Sequence, residues 1–504
     1  MYKAAIILII LFALMVSFQD FLVQPAYWFD EAITIEIARN FNMFGKLDIL
    51  TAPGVFSGVP YIAGTNGYPL TVPLASWFRV VGYGLAQARL FMMLWLVACL
   101  LAIYAITKKL YGVVPALGAL LLVSTFASFY GNGLTATGEV PGFLFFLLSL
   151  YVLTYKKQYT LGGICAGLAM AAKPGVYLFL AHAIFVFILF TEQGARIKSL
   201  VRFCFGLMPP ILLWILLVFP LSRDTFFSTI VYVLNPLDIP ILRDLLGTPA
   251  ASNLNTDLII ASSESALTQA RENALLLLTG STGIYFLLIA FVVLLMFLFV
   301  KNQTPEQKRF LQLSLLYGVF ALAYFLRGPG WIRYLLGFQV LFLLLLTPAL
   351  EALGACVKEK FVPLFRYDTL FLFLGVAALV GAQVYHLFYL ANIPRSNAAR
   401  NAVLYVDARM EENPTLTVGL VNVPEVAAFS DPLRTYHMVW LQRTMAPFGR
   451  HIFETENRPS LVLTDGKDFL LGEGGERILQ NEYVQTNRFG RYRMYEFTFL
   501  PAKE

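Results

Sequence analysis

The chain has 504 residues, of which 58% are hydrophobic and 13% charged, with a formal net charge of +6. A soluble protein carries about 25% charged residues, and many apolar runs here reach the roughly 20 residues that cross about 30 Å of hydrocarbon, so a soluble fold is excluded. The basic residues are scattered between apolar runs rather than gathered in a stripe, which excludes nucleic acid as a partner and points to membrane topology.

The first apolar segment, 4–22, follows a single Lys3 and has no small-residue cleavage site, so it reads as an uncleaved signal anchor. Directly after it, Tyr27-Trp28-Phe29-Asp30-Glu31-Ala32 sets two adjacent carboxylates just outside the first span. Ile33, Ile37, Phe41 and Phe44 recur at helical spacing, which predicts an amphipathic helix lying in the interface plane with Asp30 at its N-cap. Further apolar segments fall at 86–107, 112–130, 139–155, 160–172, 174–191, 199–220, 281–300, 310–326, 332–350 and 368–390. With the first, they predict about eleven transmembrane helices. The fifth and sixth meet at Lys173-Pro174-Gly175. Between spans lie two long loops. Residues 23–85 hold the carboxylate pair, and 221–280 hold Asn235-Pro236 and a Ser/Glu-rich, helix-like stretch. From 391 to 504 the hydrophobicity drops and strand-like runs appear at Leu416–Val421, Ser460–Leu463 and Tyr492–Phe499. The expected architecture is a polytopic all-α membrane domain, 1–390, followed by a small extramembrane α/β domain, 391–504.

With the N-terminus inside, the inner connections carry Lys108-Lys109, Lys156-Lys157, Arg196 with Lys198, Lys301 with Lys308-Arg309, and Lys358, Lys360 and Arg366. This is the positive-inside pattern. It predicts a multi-pass protein of the inner (plasma) membrane, with a cytoplasmic N-terminus and a periplasmic or extracellular C-terminal domain. Cys99, Cys165, Cys204 and Cys356 show no CxxC or metal-ligand spacing and read as small packing residues. His182, His386, His437 and His451 form no ligand pair such as HxxxH.

Two carboxylate positions stand out. A base fixed at the membrane surface is what transfer to a hydroxyl needs, and Asp30 with Glu31 occupies that place; capping the following helix is the structural alternative for Asp30. Glu139, in Thr135-Ala136-Thr137-Gly138-Glu139-Val140-Pro141, sits at the mouth of the fourth span. An ionisable group there is costly and tends to be functional, though it also complements a helix N-terminus.

The run Trp28-Phe29-Asp30-Glu31-Ala32, continuing to Glu36-Ile37-Ala38-Arg39, resembles the first outer loop of GT-C-class glycosyltransferases, in particular the aminoarabinose-to-lipid-A transferases and protein O-mannosyltransferases. Gly67-Tyr68-Pro69-Leu70 through Trp77 and Gly82 resembles their Pro-Leu segment, and Arg333-Tyr334-Leu335-Leu336 their Arg-Tyr motif. The resemblance covers roughly residues 1–350. It implies an inverting transferase that takes a sugar from a polyprenyl-phosphate donor to a lipid, glycan or protein hydroxyl among membrane lipids. Asp30 would be the base, with Glu31 holding the loop or helping to bind a metal. Glu139 would occupy a position where the family commonly has Asp. Lys173 would face the donor phosphate, as would Arg327, Arg333 and Tyr334, since arginine's planar fork suits phosphate. Snorkelling of Lys173 and interfacial anchoring by Arg, Trp and Tyr are the alternatives. Glu31 and Glu139 could hold a hard divalent ion, and nothing in the sequence requires a cofactor.

A lipid or glycan transporter or flippase would place ionisable residues near mid-membrane, whereas the informative acids and bases here gather toward one face. An O-antigen polymerase or ligase shares the many spans but is not expected to carry a carboxylate pair after the first of them.

Overall fold

The computed structural model describes residues 2–58, 66–192, 194–218, 266–299, 303–328, 330–360, 368–391, 393–438, 453 and 458–497. The middle of the expected loop 221–280, with Asn235-Pro236, lies outside them, as do His451 and the Cys356 side chain. Among the described residues the membrane part is mainly helical: α1 (Tyr2–Phe18), α2 (Phe29–Phe44), a small hairpin β1 (Leu50–Ala52) and β2 (Val55–Phe56), α3 (Tyr68–Val81), α4 (Leu85–Tyr111), α5 (Val113–Ser124), α6 (Ala127–Gly133), α7 (Glu139–Tyr151), α8 (Tyr159–Ala172), α9 (Pro174–Thr191), α10 (Arg196–Val218), α11 (Ala266–Thr279), α12 (Ser281–Phe299), α13 (Pro305–Arg327), α14 (Leu336–Lys360) and α15 (Asp368–Tyr385).

Among the described residues six helices are long and apolar enough to cross a membrane, or eight if each bent pair is one span. The expected eleven spans are therefore not reached on this criterion. The segment expected at 112–130 is broken, with α5 and α6 meeting at 63°. The segment at 281–300 pairs with the preceding helix at an 85° bend. Three others, Tyr2–Phe18, Tyr159–Ala172 and Phe373–Tyr389, are apolar but short. Hydropathy reports how apolar a stretch is and is blind to where the backbone turns.

The helix after the first span also differs from expectation. It begins at Phe29 with Trp28 at its N-cap, and no side chain caps it. Asp30 lies within the first turn. Residues 31 to 40 are buried on every face, so α2 does not float in the interface. It is packed between α3 and the C-terminal residues, and one apolar cluster joins Ile35 and Ala38 of α2, Leu70 and Leu74 of α3, and Ala402, Val418 and Leu461 further on. Burying this surface is the main force holding the two parts together.

That C-terminal region contains α16 (Ala398–Glu412), β3 (Val418–Val421), α17 (Pro424–Ala427), β4 (Thr435–Met438), β5 (Leu461–Thr464), α18 (Gly472–Glu482), β6 (Tyr483–Phe489) and β7 (Tyr492–Phe497). The five strands lie in the order β4-β3-β5-β7-β6. β3 runs parallel to β4 and β5, and β7 antiparallel to β5 and β6. Val-Gly-Leu-Val of β3 and Leu-Val-Leu-Thr of β5 are buried at every position, the continuous apolar pattern that parallel strands covered on both faces require.

Candidate active site

Four chain breaks converge where α2 begins. The turn from α8 to α9 at Lys173, the loop 135–139 leading into α7, the residues preceding α3, and the turn of 3-10 helix Ile332–Leu335 before α14 all meet there. Two glycines make the approach possible. A Cβ on Gly138 would collide with the Ala172 carbonyl, and one on Gly67 with that of Ala171.

Asp30 Oδ2 lies 2.9 Å from Arg333 Nη1. The Arg333 guanidinium is caged by aromatic faces, 4.7 Å from the Trp28 ring centroid, 4.6 Å from Trp331 and 5.5 Å from Tyr334. Such faces attract a cation and fix its orientation. Tyr334 in turn stacks on Tyr324 with centroids 5.9 Å apart. Lys173 Nζ lies 3.5 Å from Glu139 Oε1, and Glu139 also feels the charge of Arg333. The result is a row of alternating sign: Asp30, Arg333, Glu139, Lys173. Its two ends differ in access. Glu139 and Lys173 keep 1% and 5% of their side chains exposed, whereas Asp30 keeps 27% and Arg333 17%. The Asp30 end is the open one.

Lys173 is thus neither exposed nor snorkelling. Its ammonium also donates to Asn66 Oδ1 at 2.8 Å. Asn66 is buried and joins three elements, since its Oδ1 accepts from Gly138 N–H at 2.9 Å and its Nδ2 donates to Thr34 Oγ1 of α2 at 2.9 Å. The sequence offered only an Asn before the Gly-Tyr-Pro run, with nothing to mark it.

Glu31 points away from this row. Its carboxylate is gripped by Arg89, Nε to Oε1 at 3.0 Å and Nη2 to Oε2 at 2.7 Å, with both side chains fully buried. Ala136 N–H donates to the same carboxylate at 3.3 Å. The pair ties α2 to α4 and to the loop before Glu139. Arg89 lies inside the predicted span 86–107, and an arginine there was the available signal for a buried acidic partner. Among the described residues no three His, Cys, Asp or Glu side chains group as metal ligands. Arg327 ends α13 and makes no ion pair with a described residue.

The C-terminal region holds α2 from the other side. Arg39 Nη1 donates to the Ala427, Ala428 and Ser430 carbonyls at 3.1, 2.8 and 2.9 Å, closing the end of α17. Tyr83 OH donates to the Ala428 carbonyl as well. Glu36 accepts from Leu50 N–H at 3.1 Å, and its other oxygen lies 3.6 Å from His437 Nδ1. Burial raises the Glu36 carboxyl to about 7, and burial beside Arg39 lowers His437 to about 3.

Residues 71–221 match the family described as dolichyl-phosphate-mannose-protein mannosyltransferase. The fold is shared with ArnT from Cupriavidus metallidurans bound to undecaprenyl phosphate, at TM-score 0.61 and 13% identity over 97% of each chain. It is shared also with the archaeal oligosaccharyltransferase AglB from Archaeoglobus fulgidus, in complex with an inhibitory peptide and a dolichol-phosphate, at TM-score 0.56 and 11% identity over 99% of this chain and 74% of that one. No curated protein matches the chain with significance. The chain shares the fold of GT-C-class membrane glycosyltransferases. Within that class its likeness runs to the mannosyltransferases in the matched segment and to ArnT along nearly its whole length.

Proposed function

We propose that this chain moves a sugar from a polyprenyl-phosphate donor to an acceptor hydroxyl at the outer face of the membrane, with inversion. The proposed organisation is a catalytic part, 1–390, covered by an outer part, 391–504, with the N-terminus cytoplasmic. The observation that carries this reading is the Asp30–Arg333 pair at 2.9 Å, an acid and a cation at the open end of a buried charged row. The lipid phosphates of the ArnT and AglB complexes support the donor class.

The chemistry follows from charge. Without donor, each cation is neutralised by a carboxylate. A donor phosphate brings a negative charge that competes for Arg333, which can donate two parallel hydrogen bonds to it, and for Lys173. Asp30 then loses its counter-ion and becomes available as a base. In the transfer step Asp30 takes the proton of the acceptor hydroxyl, the acceptor oxygen bonds the anomeric carbon, and the bond from that carbon to the phosphate oxygen breaks. The lipid phosphate leaves as an anion held by Arg333 and Lys173, so little acid assistance is needed on that side. Glu31, held by Arg89, is assigned to positioning. Tyr334 orients Arg333, and Arg327 is left as a candidate near the entrance of the donor.

The test is transfer by wild type and Asp30→Asn, each offered a panel of polyprenyl-phosphate sugars. A fall of about 10²–10⁴ in turnover, with polyprenyl phosphate still bound, is expected. Unchanged turnover in the variant would remove Asp30 as the base.

A further inference from the structure

Helix α11 packs against α13 and presents two amide side chains, Gln269 and Asn273, one helical turn apart. Asn273 is buried. Its Nδ2 donates to the Phe325 and Leu326 carbonyls at 3.0 and 3.1 Å and to that of Gly328 at 2.8 Å. Gln269 Nε2 donates to the same Gly328 carbonyl at 3.0 Å. These carbonyls need a donor from elsewhere. The last carbonyls of a helix have no partner within it, and a left-handed glycine just past the end commonly lets the following N–H groups turn back to them. Gly328 follows α13 with φ −87°, so it is not in that conformation, and its N–H serves the Tyr324 carbonyl. The left-handed residue comes two positions later, at Gly330 with φ +70°, and it lies against the same amide. A Cβ there would stand 2.2 Å from Asn273 Oδ1. The way out of α13 is thus closed on one side chain, through hydrogen bonds on its nitrogen and a glycine contact at its oxygen.

What this turn carries is a wall of the Arg333 cage. Trp331 follows Gly330 directly, and its carbonyl accepts from Tyr334 N–H at 2.9 Å to open the 3-10 turn. The Trp331 side is 47% exposed, so burial does not pin the ring and the backbone before it has to. That ring stands 4.6 Å from the Arg333 guanidinium and 5.4 Å from the Tyr334 ring. A guanidinium that meets phosphate through a planar fork needs the orientation of its plane fixed.

We propose that Asn273, assisted by Gln269, is a positioning residue for Arg333, holding the turn that sets the Trp331 face of its cage. It acts through that turn and not on the reacting atoms. The inference rests on the reading of Arg333 as a donor-phosphate ligand given above.

The experiment measures binding of undecaprenyl phosphate to the purified full chain in detergent, by tryptophan fluorescence and with no transfer step. Asn273→Asp keeps the size of the side chain but sets an acceptor against carbonyls. It is expected to weaken binding about tenfold, the effect of one misaligned charged hydrogen bond. Gln269→Ala removes one of the two donors to Gly328 and is expected to weaken it less; it serves alone if Asn273→Asp does not fold. In an Arg333→Ala background neither variant should weaken binding further, because the residues act as one unit. Leu277→Ala, at a buried position one turn further along α11, leaves a cavity that destabilises the helix without touching the turn. It should leave affinity unchanged, with unfolding temperatures comparing its stability with that of the amide variants. Equal weakening by Leu277→Ala, additive losses in the Arg333→Ala background, or unaltered binding in the amide variants overturns the inference and leaves the donor reading standing. Wild-type binding by Arg333→Ala itself removes the donor reading, and this inference with it.

Discussion

Asp30 and Arg333 meet at 2.9 Å although one opens the second helix of the chain and the other precedes α14. The acid that would act as base is therefore held by the cation that would receive the leaving group. Removing the acid's charge removes a competitor for that cation. Asp30→Asn is expected to bind free polyprenyl phosphate more tightly than wild type while losing transfer, a pairing that a merely structural carboxylate does not produce. Lipid-phosphate titration followed by intrinsic tryptophan fluorescence, with Trp28 and Trp331 beside Arg333, reads it directly.

Substituting Arg333 should act on the donor. Arg333→Ala is expected to raise the donor KM about tenfold to a hundredfold, the range of one or two charged hydrogen bonds, with a smaller effect on the acceptor KM. Arg333→Lys should recover part of this, because the charge remains while the planar fork is lost. Equal effects on both KM values would place Arg333 outside the donor site.

Asn66 is expected to matter through Lys173. Asn66→Ala leaves Gly138 N–H and the buried ammonium short of an acceptor, at a cost of about 1–3 kcal/mol. Thermal unfolding should shift accordingly, and the donor KM should rise more than kcat falls. Asn66→Asp, which keeps the acceptor oxygen, should restore stability better than Ala does.

Arg89 and Glu31 form a pair with no exposed surface. Breaking such a pair from one side strands a buried charge and costs about 3–5 kcal/mol. Arg89→Met or Glu31→Gln alone should sharply lower the unfolding midpoint, and the double variant Arg89→Met with Glu31→Leu should regain much of it. Additive losses in the double variant would mean the two side chains contribute separately.

The contact between α2 and β4 predicts a pH optimum for stability. The folded state holds the Glu36 proton up to about 7, against an ordinary value of 4.5, so this contribution is complete below 4.5 and fades as pH rises through 7. His437 is displaced the other way, from 6.5 to about 3. Its contribution is complete above 6.5 and fades as pH falls toward 3. Stability should peak between these slopes. Glu36→Gln should abolish the alkaline slope in unfolding midpoints measured from pH 5 to 8, and His437→Gln the acid slope from pH 6 down to 4.

The parts of this site that were legible beforehand are those whose chemistry conflicts with their surroundings. Asp30, Glu139, Lys173 and Arg333 are ionisable groups beside apolar runs, and hydrocarbon makes such placements stand out. Their pairing was not legible, because which cation meets which acid depends on how distant helix ends pack. Asn66 is polar without charge and left no mark in the sequence. Arg89 was visible inside a predicted span, yet only the fold supplies Glu31 as its partner. The bends at 63° and 85° escaped for a different reason. A broken span and a straight one have the same composition.

Arg39 adds a consequence for anyone who would recombine this chain with others of its fold. Its guanidinium closes the end of α17 from within α2, so the helix bearing Asp30 supplies the cap for carbonyls nearly four hundred positions later in the chain. Exchanging the tail between homologues is thus a graft across a shared joint, and chimeras should work only when the matching arginine travels with it.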